Sequence, residues 1–111
     1  MSRHDARVTL TQMRDHAREA IALVANRARV DLDRDRMLEL SLTRLLEIVG
    51  EAANRVPSDQ RAKHPAIPWA DVVGIRNRII HGYDLVDLDI VWRTVREDLP
   101  ILVNELDRAL E

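Results

Sequence analysis

The sequence predicts an all-α fold: an antiparallel bundle of four helices, up to five, in a single domain over residues 1–111. Three observations point there. Apolar residues recur at spacings of three and four along the long stretches, and no segment alternates as a strand does. The apolar content is Leu, Val, Ile and Ala, with no Phe, one Tyr and two Trp, which suits packed helices. Pro, Gly and Asp, which open and close helices, stand at the edges of the periodic stretches.

The first helix is expected from about Asp5 to Arg29, because Leu10, Met13, Ala17, Ile21, Val24 and Ala28 form one narrow apolar face. A second runs from near Asp33 to about Val56, where Pro57 and Ser58 stop it. Its apolar residues Met37, Leu38, Leu42, Leu45, Leu46, Ile48, Val49 and Ala52 cover about half the circumference, more than one monomeric core requires. Part of that face is therefore expected against a second chain. Opposite it, Arg44, Glu47 and Glu51 have the spacing of a salt-bridged solvent face. Residues 57–68 hold three of the four prolines and read as a loop. A third, short helix begins near Pro68 or Trp69 and ends at about His81, with Gly82 as its left-handed cap. A fourth follows Asp87, a good N-cap, and carries Leu88, Val91, Trp92, Val95, Leu99, Leu102, Leu106 and Leu110, with a kink expected at Pro100.

A chain of 111 residues can fold alone, burying roughly two-thirds of its unfolded surface. With 17 basic and 19 acidic side chains the net charge is -2, so any contact with nucleic acid must be local. The absence of cysteine excludes disulfide and thiolate chemistry and fits a reducing cytoplasm. No apolar run approaches the roughly 20 residues that span a bilayer, and the Arg-dotted N-terminus lacks a signal peptide's apolar core. A cytoplasmic location, without a membrane partner, is expected.

The informative stretch is Gly74-Ile75-Arg76-Asn77-Arg78-Ile79-Ile80-His81-Gly82-Tyr83. On a helical wheel Arg76 falls within the apolar arc of Val72, Val73, Ile75, Ile79 and Ile80. Unpaired burial of a guanidinium costs several kcal/mol, so Arg76 faces a wet groove, pairs with an acid, or lies toward another subunit. The alternative is a stem laid on the core with its head in solvent. His81 lies five residues on, about 140° around and roughly 7.5 Å along the helix. The two converge if the helix unwinds at Gly82 or if pairs from two chains meet. A His at a helix C-terminus suits either capping or proton donation near neutral pH.

Arg76-Asn77…His81-Gly82-Tyr83 resembles the motif of the HEPN superfamily in its HepT form. The likeness extends over nearly the whole chain, through Leu46-Glu47-Ile48-Val49-Gly50-Glu51-Ala52-Ala53, Ile67-Pro68-Trp69 and Val91-Trp92-Arg93-Thr94. The resemblance implies a homodimer in which two copies of the motif share a cleft and cut RNA without metal or other cofactor. Arg76 and His81 would be its catalytic residues, with Asn77 in support. It also implies a partner, an antitoxin of the MntA nucleotidyltransferase type, which adds AMP to the motif Tyr, here Tyr83.

Glu47 and Glu51 are possible acids of the cleft, with Glu51 a possible carboxylate partner of Arg76. Asp84, Asp87 and Asp89 make a poor metal set, because Asp87 serves as an N-cap and no second His has ligand spacing. His4, His16 and His64 read as surface residues, and Trp69 and Trp92 as packing anchors. Two other functions compete with the toxin reading: a catalytically silent helical adaptor that regulates a nucleotidyltransferase, and an RNA-binding module without hydrolysis, which the net charge disfavours.

Overall fold

Ser2 opens the first helix by accepting from the backbone N–H of Asp5 at 3.1 Å, while its own N–H donates to the Asp5 carboxylate. The computed structural model describes residues 1–82 and 85–111. Helix α1 spans Arg3–Val24 and ends short of Arg29, because residues 25–28 are exposed and have nothing to bury against. The chain turns there so that a short helix, α2 (Val30–Arg34), seats Leu32 in the core. Helix α3 (Arg36–Arg55) starts two residues beyond the expected Asp33, at the side-chain cap that Asp35 offers to the Leu38 N–H at 3.1 Å. It stops where Val56, preceding Pro57, is forced into an extended conformation.

The expected loop over residues 57–68 contains one helical turn, α4 (Ser58–Arg61). Arg61 folds back to donate to Val56 O at 2.6 Å and Ala53 O at 3.3 Å, closing the carbonyl end of α3. Its guanidinium also lies 5.7 Å from the Trp69 ring, whose Nε1 donates to Arg61 O and His64 O.

The third predicted helix is two pieces, α5 (Trp69–Val73) and α6 (Ile75–Ile79), separated at Gly74. Arg78 donates to Asp71 O at 2.7 Å and satisfies a carbonyl at that break. Helix α6 ends two residues before His81, because Ile79 O accepts from the Asp87 N–H at 2.8 Å. Ile80–His81 (β1) instead pairs antiparallel with Leu85–Val86 (β2). Gly82, at φ 86°, turns out of β1 rather than capping a helix. Two-residue strands are too short to register as alternation, which is why the sequence showed no strand.

Asp87 caps α7 (Leu88–Arg93) as expected, accepting from the Ile90 N–H at 3.1 Å. The helical path continues through a π-helical segment, Thr94–Asp98, into α8 (Leu99–Ala109). Leu99 N–H donates to Thr94 O, five residues back, and Pro100 follows in the first turn of α8. The proline ring lacks an N–H and crowds the turn before it, so the widened turn stands where a kink was expected.

The fold is thus all-α apart from the small hairpin. Helix α1 runs antiparallel to the α7–α8 path: Arg7 donates to Leu110 O at one end and Arg96 to Val24 O at the other. Met13 and Ala17 of α1, Leu42, Leu46 and Val49 of α3, and Val91, Val95 and Leu106 are fully buried together. Two large apolar residues of α3 lie outside this core, Met37 at 78% and Leu40 at 52% exposure. Among the described residues no helix is long and apolar enough to cross a membrane.

Candidate active site

Gly50 lets α3 and α5 approach: a Cβ at this position would meet Val72 O at 3.2 Å. The close crossing sets the polar side of α3 beside the start of α6. Between them is a groove of about 210 Å³, lined by Glu47, Glu51 and Asn54 from α3 and by Arg76 and Asn77 from α6, with Gly50 and Val73 between.

Arg76 therefore does not lie in the apolar core. Its side chain is 61% exposed, and the break at Gly74 explains why an unbroken helical wheel placed it among apolar neighbours. Its acid is Glu47, with Nε 3.9 Å from Oε2. Glu51, the partner considered from sequence, pairs with Arg44 instead at 3.4 Å. Arg44 also stands 3.8 Å from the same Oε2 of Glu47, so one carboxylate oxygen faces two guanidiniums. Glu47 and Glu51 of the expected salt-bridged face line the groove, and Arg44 pairs with both.

His81 is not among the residues lining that groove. It sits on β1 with its side chain 53% exposed, and its Nε2 is 3.7 Å from Asp87 Oδ2. Asp87 uses its other oxygen to cap α7, so one carboxylate anchors a helix and faces the imidazole. The carboxylate's position orients the ring. Sequence reasoning assigned Asp87 the cap alone, because its approach to His81 depends on the hairpin. Arg44 was read only as part of a solvent face, since its sharing of Glu47 with Arg76 depends on how α3 crosses α6.

Tyr83 and Asp84 lie outside the described residues. Asp89 pairs with Arg29 at 2.8 Å, and no group of three or more His, Asp or Glu is gathered as a metal site among the described residues. A larger recess of about 390 Å³ lies between the Arg78 side of α5–α6 and residues 94–102, lined by Val72, Ile75, Leu99 and Leu102 with Asp71 and Asp98. It contains none of Arg76, Asn77 or His81.

A polar groove with an exposed Arg, followed five residues later by an exposed His, matches a known pattern. The family model described as "Ribonuclease HepT-like" matches residues 13–109. The chain belongs to the HepT-like ribonuclease family. A protein of Thermococcus cleftensis named "Probable ribonuclease HepT" is 38% identical over 74 residues, covering 67% of each chain. A Methanocaldococcus jannaschii protein named as a candidate RNase is 32% identical over 107 residues, 96% of this chain and 98% of its own. A third relative so named, from Caldanaerobacter subterraneus, is 35% identical over 81 residues, 73% of this chain and 72% of its own. No solved structure matches significantly. The matched region includes Arg76 and Asn77 of the groove and His81 of the hairpin.

Proposed function

We propose that this HepT-like chain is a metal-independent endoribonuclease, the toxin of a toxin–antitoxin pair, acting as a cytoplasmic homodimer. The observation that carries the reading is the exposed guanidinium of Arg76 at a polar groove in a member of a ribonuclease family. In this mechanism the ribose 2′-oxygen attacks the adjacent phosphorus, a new 2′-O–P bond forms and the P–5′-O bond breaks. One imidazole takes the 2′-hydroxyl proton and another supplies a proton to the departing 5′-oxygen, so His81 from each of two chains divides the work. Arg76 holds the charge that grows on the phosphate oxygens, and Asn77 orients it by hydrogen bonding. The products carry a 2′,3′-cyclic phosphate and a 5′-hydroxyl.

Two copies are needed because Arg76 and His81 of one chain do not line one groove. Met37 and Leu40, exposed on the same helix as Glu47, supply an apolar surface for the pairing. The partner is a nucleotidyltransferase antitoxin of the MntA type, which restrains the enzyme by adding AMP to Tyr83. The added bulk and negative charge oppose RNA binding.

The test is cleavage of RNA by the purified chain in chelator, with the product ends identified. Arg76→Ala and His81→Ala are each expected to slow cleavage by about 10²–10⁴-fold while the folded helical signal is retained. The separation of Arg76 from His81 within one chain favours one other reading, a silent adaptor of a nucleotidyltransferase. RNA cleavage and growth inhibition that persist unchanged in His81→Ala would defeat the enzymatic proposal.

A further inference from the structure

We infer that Arg44 is a second phosphate-contacting residue, held beside Arg76 by their common carboxylate Glu47 until RNA takes its place. The inference rests on the ribonuclease reading and adds to it a binding residue outside the motif.

The geometry around Glu47 differs from other ion pairs of this chain. Arg29 with Asp89, Arg36 with Glu39, and Arg108 with Glu105 each close to 2.8 Å and are hydrogen-bonded. Asp107 also meets two guanidiniums, but it holds Arg18 by two hydrogen bonds at 2.9 and 3.0 Å. Glu47 Oε2 instead stands 3.8 Å from Arg44 Nη1 and 3.9 Å from Arg76 Nε, too far to hydrogen-bond either. Glu47 is set into the groove with its side chain 22% exposed, while the two Arg side chains, from different helices, are 60% and 61% exposed.

A phosphodiester meets this arrangement better than a single carboxylate does. It offers two unesterified oxygens in a compact group, and each guanidinium presents a planar fork matched to such a pair. Exposed ion pairs are weak, so exchanging Glu47 for phosphate costs little. Glu51, 3.4 Å from Arg44, still leaves Arg44 with an acid when Glu47 is displaced. In the free protein the same carboxylates offset the charge of the two Arg, which fits a chain of net charge -2 that concentrates its RNA contact in one place.

The test separates binding from chemistry. Single-stranded RNA binding is measured against salt in the His81→Ala background, and steady-state cleavage in the otherwise native chain. Arg44→Ala is expected to raise KM about fivefold with kcat within about twofold, and to reduce the slope of log affinity against log salt by about 0.7. Arg44→Lys should recover part of the affinity, since an ammonium binds phosphate as a point charge. Glu47→Gln should lower KM by removing the competing charge. Circular dichroism checks the fold, and Arg44→Gln repeats the measurement if the Ala variant loses it. An unchanged KM and salt slope in both Arg44→Ala and Arg44→Gln would overturn the inference and leave the ribonuclease reading intact. Failure of the native chain itself to bind and cut RNA would overturn the reading beneath it.

Discussion

Asp87 shows how one side chain ties fold to chemistry. Its Oδ1 accepts from the Ile90 N–H and its Oδ2 faces the His81 ring. The two roles separate by substitution. Asp87→Asn keeps an acceptor for the cap but loses the charge toward the imidazole, so kcat should fall several-fold with little change in melting temperature. Asp87→Ala loses both, and should cost about 1 kcal/mol in addition, or a melting temperature lower by roughly 4–8 °C. Equal cleavage rates for the native chain and Asp87→Asn would remove Asp87 from the mechanism. The sequence makes the cap legible, because Asp87 directly precedes a periodic apolar run. The ring contact is not legible, because it needs β1 and β2 to return the chain upon itself. Arg76 shows the same limit: its identity and the acidic candidates can be read from sequence, but the choice of Glu47 over Glu51 follows from the helix crossing at Gly50.

At the level of elements, α1, α3 and α8 are long enough for their apolar periodicity to declare them. Helices α2 and α4, strands β1 and β2 and the π-helical segment span two to five residues each, too few for a period, and only tertiary contacts specify them. The start of α3 carries a pH dependence. The Leu38 backbone N–H, aided by Arg27, holds the Asp35 carboxyl below its ordinary value. Asp5 is likewise lowered by its hydrogen bonds with Ser2. Stability from these caps is therefore complete above the ordinary carboxylate pKa of about 3.9 and is lost as the pH falls through the lower folded values. Asp35→Asn retains the capping oxygen without a titrating proton. Denaturant midpoints at neutral and acid pH should show a smaller acid loss in Asp35→Asn than in the native chain, and equal losses would refute the assignment.

The whole molecule measures 43 × 30 × 19 Å, a slab rather than a sphere. Such a shape gives a 111-residue chain broad faces, and α3 contributes to two surfaces: its buried side to the core, and Met37 and Leu40 to solvent. Of the broad apolar face read from sequence, Leu38, Leu42, Leu45, Leu46, Val49 and Ala52 are buried within the single chain and only Met37 is exposed, while Leu40 lay outside that reading. Under the proposed dimeric enzyme, sedimentation should return about twice the chain mass of 12.8 kDa. Met37→Asp with Leu40→Asp should return a single chain with intact helices and strongly reduced cleavage. A native chain that sediments alone at the concentrations where it cuts RNA would rule out the shared cleft. The π-helical segment has its own consequence for the last third of the molecule. A wide turn holds more residues per revolution, so Thr94–Asp98 works as a phase adjuster between two helical rods. Rewinding the segment as a regular α-helix with every residue kept would rotate everything downstream by roughly one residue's step of about 100°. Leu99, Leu102 and Leu106 would swing out of the interior together, and Asp107 and Leu110 would lose register with Arg18 and Arg7. A defect in one turn would therefore undo the seam that closes the chain's end against its beginning.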